Sequence, residues 1–399
     1  MSAVHKKYDV VIVGAGPAGS SAAIRLARIG LKVLLVEQKT FRRSKLCGEF
    51  ISPECLIHFA ELNVLNKITA AGGVALERTI FYARNGRSVT IPSEWFQTDS
   101  CALGLSRAEM DQQLMIKASQ VGVEVLEETQ VTNLLLDNEK VCGVRLRDKG
   151  RTMFDAKSAL TIDATGRTRI LARQIEKANE HGSRHRADFV AFKTHLEGAR
   201  VPDGDCEIYA YRGGYGGSTR VENGLHNVCF IVSSKIVKKL NGDANRLLKE
   251  IVCENRRAFH SLNGARVVED WLAVPIESYG RAELSPAKGL LTIGDAAAFI
   301  DPFTGSGILL ALESAKIAAT VIIDEFAQPE SNRAFETIAR EYRKQYATAF
   351  DPRLRISSLV RHAAFVPFLA ETVIRFLSLN ESLTRHLARA TRQVAKARA

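Results

Sequence analysis

The order of apolar and polar positions in the first 37 residues predicts a strand, a helix and a second strand in direct succession. Residues 8–13 form an apolar run rich in valine, and residues 20–29 alternate small and aliphatic side chains at helical spacing. Residues 32–36 form a second apolar run. Short runs that are apolar throughout are typical of parallel strands buried on both faces, so this segment predicts an α/β fold.

Further segments extend this pattern along the chain. Residues 158–163 and 289–293 again predict buried strands, and residues 305–326 predict a long helix. Residues 123–126 predict a further strand, and residues 130–136, 141–147 and 152–156 predict a meander. Ser106 and Glu109 form a capping box, which predicts the start of an amphipathic helix.

Residues 187–276 have a different pattern, which predicts a second module. Strand-like segments alternate with polar or glycine-rich turns such as residues 213–217, and only residues 244–254 have a helical pattern. The predicted strands are residues 189–196, 206–211, 225–232 and 271–276. Because little helix separates them, we expect an antiparallel sheet inserted in the α/β domain. The expected domains are residues 1–75, 101–175 and 285–330 for the α/β domain, 76–100 and 176–284 for the sheet domain, and 331–399 for a helical C-terminal region.

The turn after the first strand carries the glycine fingerprint of a dinucleotide site, Gly14, Gly16 and Gly19. Gly14 permits the tight turn, Gly16 lets the backbone approach a pyrophosphate, and Gly19 lets the helix pack on the strand. The N–H groups at the start of the helix are suited to the phosphates. Glu37, which ends the second strand, is expected to accept the ribose hydroxyls of an adenosine. The other residues assigned to this site are Pro17, Ala18 and Gln38.

Two further glycine–acid elements, residues 163–166 and 294–307, favour a flavin dinucleotide. The ribityl chain of FAD has hydroxyls that need an acceptor, and Asp295 at a strand end can supply it. Gly305 and Gly307 open a helix whose N–H groups can face the ring edge where reduced flavin holds negative charge. The other residues assigned to this cofactor site are Asp163, Gly166, Gly294, Pro302, Ser306 and Ile308.

Composition limits the class of protein further. The chain has 399 residues, of which 46% are hydrophobic and 25% charged; this is typical of a globular protein with two domains or with one domain that carries a large insertion. Its formal net charge of +11 is high. The charge favours anionic cofactors, an acidic carrier protein or a membrane surface. We expect no nucleic-acid partner, because no basic run is interleaved with aromatics. The seven scattered cysteines lack metal-site spacing, so we expect reduced thiols, no metal and a cytoplasmic location.

These motifs resemble the para-hydroxybenzoate-hydroxylase-like superfamily of flavoproteins. The resemblance rests on the fingerprint and on residues 105–111, 163–166 and 294–307. Within the superfamily, the Cys-Gly-Glu at residues 47–49 and the segment 299–308 resemble the geranylgeranyl-reductase branch, to which flavin-dependent halogenases are related.

The resemblance implies a Rossmann-like FAD-binding domain with an inserted antiparallel sheet that covers the substrate. It implies that Arg107 contacts the FAD phosphate or ribityl region and that Asp295 holds the ribityl chain. Cys47 and Glu49 are then placed near the flavin ring. Cys47 is a candidate proton donor to a substrate carbon and Glu49 a candidate proton relay. The alternative is a buried, unreactive thiol and a solvated carboxylate.

Three departures from related flavoproteins narrow the chemistry. Halogenases of this branch carry a Trp-x-Trp-x-Ile-Pro stretch, but Trp95 and Trp271 lie far apart. Aromatic hydroxylases usually have a histidine at the position of Ala298. A second fingerprint for NAD(P)H is absent, so either NAD(P)H docks transiently or a redox partner supplies electrons. No motif accompanies His58, His195 or His226, and no role is assigned to these histidines.

We therefore expect an FAD-dependent oxidoreductase that uses NAD(P)H or a partner reductant to reduce a double bond in a hydrophobic, isoprenoid-like substrate. One alternative is a monooxygenase that hydroxylates a hydrophobic or aromatic substrate. A second alternative is a flavin-binding protein without catalytic activity.

The C-terminal region bears on membrane contact. Residues 353–361, 374–377 and 385–398 interleave arginines with aliphatic side chains, which favours a basic amphipathic surface lying on the inner face of an anionic membrane. Packing of the aliphatic side chains on the flavin domain is the alternative. The polar residues 1–7 and the shortness of every apolar stretch argue against a signal peptide and a membrane span.

Overall fold

The computed structural model describes residues 6–96, 100–179, 187–276, 279–299, 303, 305–329, 331, 333–365 and 367–392, with the backbone alone for residues 177–179 and 358–370. Its architecture confirms the predicted fold class, since it combines a largely parallel sheet covered by helices, a second large sheet and C-terminal helices.

The first sheet has seven strands and carries the fingerprint turn. Its order is Glu124–Leu126, Val33–Val36, Lys6–Val13, Met153–Asp163, Lys140–Arg147 and Gln130–Asp137, with Leu290–Thr292 paired to Met153–Asp163. The strand Lys6–Val13 is parallel to both of its neighbours, Val33–Val36 and Met153–Asp163. Val10 and Ile12 pack in one apolar cluster and Val11 and Val13 in another. This alternation explains why residues 10–13 of the strand are all apolar, because both faces of the strand are buried there.

Helices cover one face of this sheet and place loops at its carboxyl edge. Pro17–Ala27 packs between Arg107–Gln120 and Gly307–Phe326. The predicted capping box is confirmed on the side of Ser106, whose Oγ accepts a hydrogen bond from Glu109 N at 3.2 Å. The remaining helices of this part are Pro53–Glu61, Leu65–Ala70 and Ala172–Asn179. A small sheet of Phe50–Ile51, Val74–Leu76 and Ala102–Gly104 lies beside them.

The second sheet has eight strands. Its order is Arg266–Val267, Phe189–Glu197, His226–Ser233, Gly214–Arg220, Asp205–Tyr211, Arg78–Tyr82 and Ser88–Pro92, with Leu272–Ile276 also paired to Phe189–Glu197. The pairing is antiparallel as predicted except between Asp205–Tyr211 and Arg78–Tyr82, which run parallel. Short strands Gly280–Arg281 and Ala298–Phe299 form a separate pair.

Several local predictions were wrong. Residues 152–156 and 158–163 belong to one continuous strand, Met153–Asp163. The glycine-rich segment 213–217, predicted as a turn, lies mostly in strand Gly214–Arg220. Its glycines are required by close packing, because a Cβ at Gly216 would lie 2.7 Å from the Cβ of Phe230 on the next strand. The second module also has three helices where one was predicted, namely Ser234–Lys239, Ala244–Glu250 and Arg256–Leu262.

The C-terminal region is helical as predicted and folds back on both sheets. Its helices are Phe335–Phe365, Pro367–Ser378 and Glu381–Ala390. The first packs on Gly307–Phe326, and its fully buried Arg353 forms an ion pair with Glu313. No helix among the described residues is both long enough and apolar enough to cross a bilayer. Residues 393–398, on which part of the predicted basic surface falls, lie outside the described residues.

Candidate active site

A cavity of about 830 Å³ lies between the carboxyl edge of the first sheet and one face of the second sheet. Its volume is at the upper end of the range for small-molecule sites. The fingerprint turn and the loops after Met153–Asp163 and Leu290–Thr292 form one wall, and strands of the second sheet form the other. We call this space the central cavity. Ligands of open α/β sheets bind at this edge, so its position agrees with the predicted cofactor site.

The positions of Gly14 and Gly19 require glycine, as the sequence predicted. Gly14 adopts φ of +103°, and a Cβ there would lie 2.4 Å from the carbonyl oxygen of Ala164. A Cβ at Gly19 would lie 1.9 Å from the carbonyl oxygen of Gly14, so only glycine lets the helix approach the strand. The backbone of Gly16 lines the central cavity together with Pro17 and Ala18. The start of this helix is therefore open to a phosphate group.

Glu37 lies at the cavity wall but is already held by the protein. Its Oε2 accepts hydrogen bonds from Ala15 N at 3.2 Å and from Arg43 Nη2 at 3.0 Å. Arg43 also contacts Asp111, which forms an ion pair with Arg107 at 2.8 Å. This buried chain of alternating charges orients Glu37 and Arg107 towards the cavity. Gln38 lines the cavity next to Glu37.

Asp163 does not belong to the cavity lining, whereas Gly166 does. Both oxygens of Asp163 accept hydrogen bonds from its own turn and the following helix, with Leu171 N and Ala172 N each 3.0 Å from Oδ2. Asp163 is fully buried and holds the turn in place, whereas Gly166 and the neighbouring Arg167 line the cavity. The structure gives Asp163 a positioning role in this turn.

The third glycine–acid element also borders the cavity. Gly294, Asp295, Gly305, Gly307 and Ile308 line it. Ser306 is fully buried at the N-terminus of helix Gly307–Phe326. Pro302, which the sequence assigned to the cofactor site, lies outside the described residues.

Asp295 offers the acceptor that a ribityl chain requires. Burial raises the pKa of its carboxyl group, and the charges of Arg167, Arg107 and Lys45 offset part of this rise. No described residue donates a hydrogen bond to this carboxylate, which leaves its oxygens available to hydroxyl groups in the cavity.

The charge of the cavity also fits FAD. Eight basic and three acidic side chains are among its described lining residues, which suits a ligand with two phosphates. They are Arg43, Lys45, Arg107, Arg167, Arg169, Arg173, Arg281 and Arg392 against Glu37, Glu49 and Asp295. The open helix start, the free acceptor on Asp295 and this positive lining together fit the cofactor.

The wall that the second sheet contributes is mostly apolar. Ala191, Ile208 and Ile231 line it, and Tyr215 packs against Phe303 with ring centroids 5.0 Å apart. Gly217, on the same face of strand Gly214–Arg220 as Tyr215, also lines this wall and has no side chain to fill the space. An apolar molecule can therefore lie against this wall.

Glu49 lies where the two walls meet and is the centre of a buried charge cluster. Its φ of +54° is left-handed, a conformation that costs a non-glycine residue about 1–2 kcal/mol. The carboxylate is fully buried and accepts hydrogen bonds from Lys193 Nζ at 2.7 Å and from Arg107 N at 2.9 Å. Its other oxygen lies 2.6 Å from His195 Nε2. The alternative that Glu49 is a solvated loop carboxylate is thereby wrong.

Charge balance sets the protonation of this cluster. Burial alone raises the pKa of Glu49, but the hydrogen bond from His195 and the charge of Lys193 outweigh it and lower the pKa below its ordinary value. Burial lowers the pKa of His195, but its hydrogen bond and charge interaction with Glu49 outweigh this and raise it. The pair therefore favours an ionised carboxylate and a protonated imidazole.

Cys47 lies beside Glu49 on the cavity wall. Its Sγ accepts a hydrogen bond from Glu49 N at 3.3 Å, and its carbonyl oxygen accepts one from Asn227 Nδ2 at 3.2 Å. Burial raises the pKa of the Cys47 thiol, and the positive charge of Arg107 offsets part of the rise. The protonated thiol is therefore the favoured form at neutral pH. All seven cysteines are described, and all are free thiols, as the sequence predicted.

Sequence reasoning missed Lys193 and His195. They occupy alternate positions of strand Phe189–Glu197, so both side chains point to the same face. A lysine and a histidine two positions apart in a strand that begins with four apolar residues were the only signal in the sequence. That this face covers Glu49 follows only from the way the second sheet packs on the first domain.

Comparison with known proteins agrees with this site. A family model described as FAD binding domain matches residues 7–349. Digeranylgeranylglycerophospholipid reductase 1 of Methanococcoides burtonii is 28% identical over 365 residues, which are 90% of this chain and 84% of that protein. Digeranylgeranylglycerophospholipid reductase of Methanothrix thermoacetophila is 31% identical over 326 residues, or 80% and 78% of the two chains. Menaquinone reductase of Mycolicibacterium smegmatis is 26% identical over 394 residues, or 94% and 90%.

Solved structures share the fold. A geranylgeranyl bacteriochlorophyll reductase-like protein from Thermoplasma acidophilum has a TM-score of 0.76 at 22% identity, with 97% of this chain and 96% of that chain covered. A flavin-dependent brominase has a TM-score of 0.80 at 21% identity, with 97% and 93% covered. The chain belongs to the FAD-binding-domain family and, within it, to the geranylgeranyl-reductase-like branch of FAD-dependent oxidoreductases.

Proposed function

We propose that this flavoprotein reduces a carbon–carbon double bond in a hydrophobic, isoprenoid-like substrate. The observation that carries the proposal is the apolar wall of the second sheet, which faces the FAD-binding elements and has the thiol of Cys47 at its edge. Two named relatives are reductases of prenylated molecules, a digeranylgeranylglycerophospholipid and menaquinone. Their names support the same class of substrate here.

The residues divide the work of such a reaction. Reduced FAD supplies a hydride when it is bound. The positively charged lining and the fingerprint turn hold the cofactor, and the apolar wall orients the substrate and excludes water. Cys47 donates the proton that completes the reduction, because burial keeps its thiol protonated.

Anaerobic stopped-flow spectroscopy tests the proposal. Photoreduced enzyme is mixed with a panel of prenyl lipids and prenylquinones, and reoxidation of the flavin is followed by its absorbance. Substrate-dependent reoxidation without oxygen is the expected result. A C4a-hydroperoxide absorbance on mixing with oxygen, followed by oxygen incorporation into a substrate, would instead establish a monooxygenase. Failure of both reactions, with and without redox partners, would indicate a flavin-binding protein without turnover.

The electron donor is part of the same proposal. No second glycine fingerprint occurs among the described residues that line the cavity, so NAD(P)H is expected to dock transiently. Bleaching of the bound flavin by NADPH or NADH under anaerobic conditions is the expected result. Bleaching only by a reduced ferredoxin or flavodoxin would assign the role to a protein partner.

We also propose peripheral membrane contact through the C-terminal helices. Helix Pro367–Ser378 packs Ile374 against the second sheet and leaves Phe376 58% exposed. Leu379, just after the helix, is 80% exposed, and Arg375 on the same segment is also exposed. Apolar side chains beside a cation are the composition of an interfacial anchor. Such an anchor would let a lipid substrate reach the cavity without crossing water.

A further inference from the structure

His195 has contacts on both ring nitrogens, and they lead in opposite directions. Nε2 lies 2.6 Å from Glu49 Oε2, inside the protein. Nδ1 lies 3.0 Å from Glu269 Oε2, although the ring N–H does not point straight at that oxygen. The Glu269 side chain is 43% exposed, whereas those of His195 and Glu49 are almost fully buried. Titratable groups therefore connect the wall of the central cavity to the surface.

The backbone fixes the outer end of this connection. Glu269 lies in the break between strands Arg266–Val267 and Leu272–Ile276, both of which pair with Phe189–Glu197. Thr194 Oγ1 donates a hydrogen bond to the Glu269 carbonyl oxygen at 2.7 Å. This interruption of the strand places the Glu269 carboxylate next to the His195 ring and leaves part of the Glu269 side chain exposed to water.

We infer that Glu269, His195 and Glu49 form a proton path from solvent to Cys47, which restores the thiol proton after each reduction. The inference rests on the proposed function, because a path is needed only if a cavity residue gives up a proton. His195 and Glu269 do not touch the cavity, so they act through Glu49 as positioning and relay residues.

The path supplies one proton for each double bond that is reduced. The S–H bond of Cys47 breaks as the new C–H bond forms. The His195 imidazolium then gives its proton to the ionised Glu49, which passes it to the thiolate of Cys47, the residue that Glu49 already contacts through its backbone N–H. The neutral His195 recovers a proton from water at Glu269. Lys193, whose Nζ lies 2.7 Å from Glu49 Oε1, favours the ionised form of Glu49, so the carboxyl holds the proton only in transit.

Charged neighbours set the resting state of the relay. The groups that act most strongly on His195 are Glu49, Lys193 and Glu269. Its cross-strand neighbour is the uncharged Asn227. The protonated His195 imidazole lies between Glu49 and Glu269, so the path already holds a proton before the reaction begins.

The test separates the first turnover from later ones. In His195→Gln we expect a normal first reoxidation of the reduced flavin, because Cys47 is already protonated, and later turnovers slowed by about 10²-fold. Glu269→Gln should slow later turnovers less and make them depend on buffer concentration. Glu197→Gln, which removes an exposed carboxylate two residues along the same strand, is the matched control and should match the wild type. Equal steady-state rates in all four proteins at low buffer would overturn the relay.

A second readout does not need turnover. Nuclear magnetic resonance of the histidine rings in the FAD-bound protein measures the titration of His195. We expect a midpoint above the ordinary imidazole value in the wild type and a lower midpoint in Glu269→Gln. The inference would be overturned if the wild-type midpoint of His195 were at or below the ordinary imidazole value and Glu269→Gln did not change it. If the His195 midpoint moves as expected but no prenyl substrate reoxidises the flavin, the proposed reaction is wrong. The electrostatic coupling between Glu269 and His195 is then still supported.

Discussion

The carboxylate of Glu49 lies 2.6 Å from the Nε2 atom of His195, although 146 positions separate the two residues in the chain. Glu49 belongs to the loop after the fingerprint helix and its second strand, and His195 to a strand of the second sheet. The contact ties the second sheet to the FAD-binding domain at the edge of the cavity. It also places the cluster beside Cys47, the proposed proton donor.

Removing the Glu49 charge should destabilise the protein strongly. Glu49→Gln leaves Lys193, which is 1% exposed, without its counter-charge, and breaking a buried pair in this way costs about 3–5 kcal/mol. The free energy of unfolding in urea measures the loss. Glu49→Gln combined with Lys193→Met should recover much of it, because the buried lysine charge is then absent and the His195 imidazole can lose its proton. A single-variant loss below about 1 kcal/mol would contradict a buried ion pair.

The same contact predicts a pH dependence of stability with two limits. Since the folded pKa of Glu49 is lowered, its contribution is present above the ordinary carboxyl value of 4.5 and is lost as the pH falls through the folded pKa. Since the pKa of His195 is raised, its contribution is present below the ordinary imidazole value of 6.5 and is lost as the pH rises through the folded pKa. The stability difference between wild type and His195→Gln should therefore be largest near pH 5–6. A difference that grows steadily to pH 9 would contradict the assigned protonation states.

Asp295→Ala should separate cofactor binding from folding. The lost hydrogen bonds to a charged acceptor should weaken FAD retention by about 10- to 100-fold. The apoprotein should be no less stable than the wild type near neutral pH, because burial already opposes the ionised carboxylate. Titration of apoprotein with FAD and thermal unfolding measure the two effects. Asp137→Ala, at an exposed aspartate of the first sheet, is the control; equal FAD affinity in both variants would exclude a ribityl contact for Asp295.

Cys47→Ser should lower the rate of substrate-dependent flavin reoxidation by about 10²-fold or more, since the proton donor is lost. FAD affinity should change little, because the hydroxyl can replace the thiol as acceptor for Glu49 N. Single-turnover kinetics and FAD titration distinguish these effects. The control is Cys253→Ser, at a half-buried thiol of the second module outside the described cavity lining. A normal rate in Cys47→Ser would show that the thiol only shapes the pocket.

Phe376→Ser should weaken binding to anionic liposomes in sedimentation assays at low salt. The loss follows from removing apolar surface that would enter the interface, and high salt should weaken wild-type binding by screening the arginines. Phe259→Ser changes a similarly exposed phenylalanine of the second module and should leave binding unchanged. No sedimentation of the wild type at low salt would end the membrane proposal. Equal binding of the wild type to neutral and anionic vesicles would show that electrostatic attraction does not contribute to membrane binding.

The FAD-binding half of the site was predictable because its chemistry is local. Gly14, Gly16 and Gly19 have the fixed spacing of a single strand–turn–helix unit, and such a unit can be recognised in the sequence. The contact of Gly19 with Gly14 lies within the unit, whereas the one that requires glycine at position 14 comes from Ala164, directly after a neighbouring strand. Asp295 follows the same rule, since it lies directly after a buried strand. Asp163 shows the limit of the rule, because the same type of residue at a strand end turned inward and holds its own turn.

The glycine-rich segment 213–217 shows why part of the fold was mispredicted. Glycines usually indicate a turn, and here they permit close packing between neighbouring strands and leave open space in the cavity wall. The sequence does not distinguish these uses, because the neighbour that excludes a side chain, Phe230, comes from another strand.

By itself, the sequence determined the α/β class, the strand–turn–helix that binds the dinucleotide, and the candidate chemistry of Cys47 and Glu49. Each of these depends on residues close together in the chain or on a motif with fixed spacing. Only the tertiary structure decided that Lys193 and His195 surround Glu49, that Glu269 leads from them to solvent, and that an apolar sheet face closes the cavity. These features arise from the packing of distant segments, and the geometry of that packing leaves no periodic pattern in the sequence.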